Sequence, residues 1–171
     1  MKNVVLRAPV LTQSGYGVHS RQIAKWLLSK HDRGEISLTI QCVPWGDTSW
    51  FVNPDLCDGF IGKMMSYSGK EIKNPDVSFQ VILPNEWDQS LAKINVGITA
   101  GVETDRCNPE WVKACNKMSS VVFPSTFSAS SFLKINPNLK EKIAVIPESF
   151  PEVLEEIEKE DIDAAKEFFE F

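Results

Sequence analysis

Apolar residues along this chain fall in short runs, separated by stretches whose apolar positions recur at helical spacing. Asn-Val-Val-Leu-Arg at 3–7 predicts a buried first strand. Over 18–31, Ile23, Ala24, Leu27 and Leu28 share one face, predicting a helix. Lys30, His31 and Arg33 suit its negative pole, and Gly34 suits its stop. Residues 36–43 alternate as a strand ended by Pro44. The Trp/Pro/Asp-rich stretch 44–58 reads as loop, and 59–68 as a short helix. Apolar runs at 79–83 and 94–99 predict two further strands, the first closed by Pro84. A helix follows at 109–118, with Pro109 in the first turn, where a missing N–H costs nothing. Residues 121–123 predict a strand, 127–134 a helix, and 143–146 a strand closed by Pro147. In the last segment Leu154, Ile157, Ala165 and Phe168 share one face and acids cover the rest, the pattern of an amphipathic helix.

Short strands alternating with helices predict an α/β fold with a mostly parallel sheet. The chain's 171 residues suffice for one domain with a proper core. Charge changes this picture in one place. The formal net charge is −5, yet residues 151–171 carry nine acids and two lysines, a net of −7, which leaves +2 on residues 1–150. No basic stripe with interleaved aromatics appears, so nucleic-acid binding has no electrostatic support. No stretch has the ~20 continuous apolar residues of a membrane span. The N-terminal apolar run is too short for a signal peptide, and a cytoplasmic protein is the expectation. Cys42, Cys57, Cys107 and Cys115 form no metal-ligand spacing and there are two histidines, so no metal site is expected and the thiols read as reduced, half-buried packing residues.

Open α/β sheets bind ligands beyond the carboxyl ends of their strands. The segments that follow the predicted strands there carry Gly15, Tyr16, Gly17, His19 and Arg21; Asn85 and Glu86; Thr99, Glu103 and Asp105; Ser125 and Thr126; and Glu148. Each has an ordinary reading beside the functional one. Gly15 and Gly17 suit a turn as well as a phosphate cradle. His19 at a helix start suits a ligand or a surface. Glu103 and Asp105 suit solvated or capping carboxylates as well as catalytic ones, and Ser125 suits a helix N-cap. Read as a dinucleotide fingerprint, residues 15–20 have serine at the third glycine position, and no acid ends the second strand; a nicotinamide cofactor is not expected.

Taken in order, "SGYGVHSR" (14–21), "LPNEWD" (83–88), "GITAGVETDRCNPEW" (97–111) and "VVFPSTFSASSF" (121–132) resemble the N-terminal half of a GT-B glycosyltransferase of the family 4 kind. The resemblance covers residues 3–150. It implies a Rossmann-like three-layer domain over 1–150, with helices on both sheet faces, and an acidic amphipathic helix over 151–171. It further implies the acceptor-side half of a retaining enzyme that moves a hexose from a nucleotide sugar to a glycan or lipid-linked acceptor, the donor being substrate and no cofactor being needed. Gly15, Tyr16 and Gly17 would approach the donor phosphates, with His19, Arg21, Asn85, Glu86, Thr99, Ser125 and Thr126 around the substrates. Many relatives place a histidine in the loop that here reads "GVETD", so Glu103 and Asp105 stand as the catalytic candidates. No donor-binding motif follows residue 150; the expectation is a donor domain on a separate chain or absent from this one. The open cleft face would also suit a homodimer. The alternative reading is a non-catalytic binding or assembly module, or a truncated remnant of such an enzyme.

Overall fold

The computed structural model describes residues 1–71 and 73–149. Six strands form one sheet: β1 (Lys2–Ala8), β2 (Ile36–Cys42), β3 (Val77–Val81), β4 (Ile94–Ile98), β5 (Ser120–Phe123) and β6 (Ile143–Val145). Their order is β2-β1-β3-β4-β5-β6, and every pairing is parallel. The connecting helices are α1 (Gly15–Asp32), α2 (Phe60–Tyr67), α3 (Pro109–Lys117) and α4 (Thr126–Leu133). Short 3₁₀ turns at Pro84–Glu86 and Pro137–Glu141 complete the described elements.

Strand alternation divides the core in two. Val4, Leu6 and Ala8 of β1, with Leu38 and Ile40 of β2, pack on Ala24, Leu27 and Leu28 of α1 and on Ile61 and Met64 of α2. On β5, Val122 turns toward this side, while Val121 and Phe123 join Val112 and Cys115 of α3 and Ala129 and Phe132 of α4 on the other. Helices therefore cover both faces of a parallel sheet, a Rossmann-like three-layer arrangement. The expected helix over 152–169 lies outside the described residues.

The elements follow the apolar pattern closely, with two informative differences. β3 begins at Val77, two residues before the apolar run, because Ser78 and Gln80 are buried polar residues. Asn95 of β4 satisfies both: Ser78 Oγ donates to Asn95 Oδ1 at 2.7 Å, and Gln80 Nε2 donates to the Asp88 carbonyl at 2.6 Å and lies 3.4 Å from Asn95 Oδ1. Helix α1 begins at Gly15 rather than residue 18, capped by Ser14, whose Oγ accepts from the Gly17 N–H at 2.9 Å. Gly15 and Gly17 are therefore helical and lack the positive φ of a turn, which Gly34 (+72°) does have at the helix stop.

Three of the four cysteines match the expected packing role: Cys107 and Cys115 are buried and Cys42 is half-buried. Cys57 is a correction. It stands exposed in the 44–58 loop with φ of 53°, where no sheet or helix covers it. Burial pushes the Cys115 thiol up to about 12, with nearby Cys107 adding to the shift. One fast-reacting thiol, at Cys57, is therefore expected when the native protein meets a disulfide reagent at pH 8, and Cys57→Ser should abolish that phase.

Candidate functional site

Because all strands are parallel, the segments following β1, β3, β4, β5 and β6 emerge on one edge of the sheet. Strand order reverses at β1, which sends the chain outward to β2 and then back to β3 on its other side. Such a reversal opens a crevice at the carboxyl edge. Tyr16, at the start of α1, bridges it. Its hydroxyl lies 2.9 Å from Thr99 Oγ1, just past β4, and accepts the Ala100 N–H at 3.0 Å. Thr99 Oγ1 in turn accepts the Gly101 N–H at 3.2 Å. On its other side the Tyr16 ring stacks on Trp45, with centroids 4.0 Å apart and planes 20° apart. Burial raises the phenol's pKa above its usual value, the hydrogen bonds to Thr99 and Ala100 oppose this, and the Glu148 and Glu86 carboxylates add to it. The phenol is thus a neutral donor and acceptor across the physiological range.

Beside this bridge lies a cavity of about 170 Å³, walled by Gly15, Tyr16, His19, Ala100 and Glu148. A Cβ at Gly15 would meet nothing within 4 Å, so the bare backbone leaves the mouth open. The His19 side chain is 16% exposed, and its Nδ1 lies 3.7 Å from Glu148 Oε2, beyond hydrogen-bond length. Among the described residues this Nδ1 has no hydrogen-bond partner. The pocket therefore offers an imidazole nitrogen, a carboxylate and the first backbone groups of a capped helix, a set suited to hydroxyls and to a compact anion.

Gly17 does different work. A Cβ there would sit 2.1 Å from the Thr12 carbonyl oxygen, so the helix start and the segment leaving β1 touch backbone to backbone. Arg21 holds the same segment, donating from Nη1 to the Val10 and Thr12 carbonyls at 3.1 and 2.8 Å with its guanidinium over Phe51. Its charge is spent on carbonyls instead of facing the pocket. Asn85 and Glu86 are exposed on the 3₁₀ turn after β3, where the Glu86 carbonyl accepts from Arg7. Ser125 caps α4, its Oγ accepting from the Ser128 N–H at 3.1 Å, and Thr126 is exposed in the first turn. Gly101 takes a φ of +78° and packs near Ser128 and Phe123, turning the chain into the segment that carries Glu103 and Asp105. Both carboxylates are exposed there and neither belongs to the pocket wall.

Of the candidate residues, the structure thus joins Gly15, Tyr16, His19 and Thr99. Glu148, Ala100 and Trp45 complete the surroundings. Glu148 stood in a recognised edge segment, yet nothing in its local sequence marks it above Glu103. Tyr16→Phe should destabilise the fold by about 1 kcal/mol by leaving the Ala100 N–H without its acceptor. In urea unfolding, a double-mutant cycle with Thr99→Val should show a coupling of about 0.5–1.5 kcal/mol. Among the described residues no group of three or more potential metal ligands occurs, and no helix is long and apolar enough to cross a membrane. Comparison of the chain with protein-family models, with curated proteins and with solved structures returned no match.

Proposed function

We propose that this chain is the acceptor-side half of a retaining glycosyltransferase, acting with a donor-binding domain on the far side of the crevice. The observation that supports the reading is the joining of two motif segments, 83 residues apart in sequence, by the Tyr16–Thr99 hydrogen bond beside a polar pocket. Gly15 and the open start of α1 suit the phosphates of a nucleotide sugar, and His19 and Glu148 suit sugar hydroxyls. Glu103 is the carboxylate assigned to stabilising positive charge on the sugar ring.

Titration of the isotope-labelled chain with nucleotide sugars tests the reading. Weak, saturable shifts of the Gly15, Tyr16 and Ala100 amides are expected; no response to any nucleotide sugar would refute it. In the enzyme assembled with its donor half, Glu103→Gln should lower kcat by at least ~10-fold, roughly the loss of a charged transition-state contact. Transfer that survives this change unaltered would remove Glu103 from the chemistry. The exposure of Glu103 and Asp105 away from the pocket favours a second reading, a binding module without catalysis. Ligand-dependent amide shifts without transfer by the assembled protein would select it.

A further inference from the structure

The face of the sheet that carries α1 and α2 is unevenly covered. Helix α1 packs on β1, β2 and β3, and α2 packs on β2. α3 and α4 belong to the opposite face. Among the described residues no helix lies over β4, β5 and β6 on the α1 side. The result is an apolar trough of about 340 Å³ between α1 and the β6 edge, walled by Ile23, Trp26, Phe79, Ile98, Val122 and Ile146. Trp26 is 49% exposed and Ile146 56% exposed, both large apolar groups left to water at its rim.

The chain itself runs into this trough. Pro147 and Ser149 form part of its wall, and Gln22 Nε2 of α1 donates to the Ser149 carbonyl at 2.6 Å. That bond ties the end of the described chain to α1. The Gln22 Oε1 of the same amide is buried without a partner among the described residues, beside the point where residue 150 continues. The sequence beyond has the pattern the trough lacks: Leu154, Ile157, Ala165 and Phe168 on one helical face. It also carries net −7, against +2 on the remainder.

We propose that residues 151–171 dock as an amphipathic helix into this trough, setting Leu154 and Ile157 against Trp26 and Ile146. The site is intramolecular: the segment is tethered at Ser149, so its effective concentration at the groove is in the millimolar range. The apolar face leaves water, the acidic face stays outside, and the sheet gains the missing part of its outer layer. His19 stands in the walls of both the trough and the polar pocket, so the docked segment borders that pocket. This inference is independent of the transferase reading.

The experiment uses the full chain with fluorinated tryptophan, the Trp26 resonance being assigned through Trp26→Phe. A spin label is placed at Ala165→Cys in a Cys57→Ser background. Loss of the Trp26 resonance within the labelled chain is expected, relieved by Leu154→Asp with Ile157→Asp and retained with Glu156→Gln on the polar face. A mixture of fluorinated unlabelled chains with labelled non-fluorinated chains should show no loss. Loss in the mixture assigns the trough to a second copy and overturns the proposal. A Trp26 resonance untouched in both samples overturns it equally.

Discussion

Gly17→Ala is expected to destabilise the protein by about 3 kcal/mol, although alanine is the better helix former by about 1 kcal/mol. The added Cβ would approach the Thr12 carbonyl oxygen to 2.1 Å, Thr12 Oγ1 to 2.9 Å and Arg21 Nη1 to 3.0 Å. The closest of these is backbone, held by two Arg21 hydrogen bonds and by the Thr12 Oγ1 bond to the Pro9 carbonyl, so it cannot swing aside as a side-chain tip would. Relief requires α1 to move from the β1 edge, and Tyr16 moves with it. Gly15→Ala is the matched control. Its Cβ meets nothing within 4 Å, so stability should stay equal or rise by a few tenths of a kcal/mol while the pocket mouth narrows. Urea midpoints of the two variants measure the contrast, and equal midpoints would show that the close approach is absent.

Trp87→Ala should be the costliest single truncation near the crevice, about 3–5 kcal/mol. The indole is 5% exposed and lies flat against Gly97 of β4, where any Cβ would fall 2.6 Å from Cζ2. Its Nε1–H donates to the Gln80 carbonyl at 3.1 Å. Gln80 in turn exchanges two hydrogen bonds with the Asp88 backbone, so one ring closes both the sheet face and the segment after β3. Trp87→Phe keeps much of the apolar area and loses the N–H bond, so it should recover more than half of the loss. Calorimetric midpoints of the pair separate packing from hydrogen bonding. Gly97→Ala should unseat the same ring from the strand side.

Strand and helix types were legible in this chain because one parallel sheet with helices on both faces writes short apolar runs and helical stripes side by side. β1, β2, β4 and α3 stand within a residue or two of where the pattern places them. The misses have physical causes. Ser78 and Gln80 hide the first half of β3, because a buried polar network leaves no apolar signature. Gly17 looks like a turn residue in sequence and is instead a contact residue, a distinction that depends on Thr12 lying against it in space. For the site, Tyr16 and Thr99 were both legible as edge residues, but their hydrogen bond depends on the strand order. Glu148 enters the pocket because β6 is the edge strand and its chain returns past His19, which local sequence does not encode.

The position of β1 between β2 and β3 also sets a timetable. Val4 pairs with Leu38 on one side and with Val77 on the other, so its two ladders close loops of very different length. The first can form as soon as β1, α1 and β2 exist, a self-contained βαβ unit. The second must wait for the entire α2 region, leaving one side of β1 with unpaired N–H and C=O groups in the interval. Folding governed by such distant pairings is slow compared with a helical bundle of this size. On a ribosome, the growing chain would carry an open, apolar strand edge until residue 81 had cleared the exit, and that interval is when a holding chaperone would have most to bind.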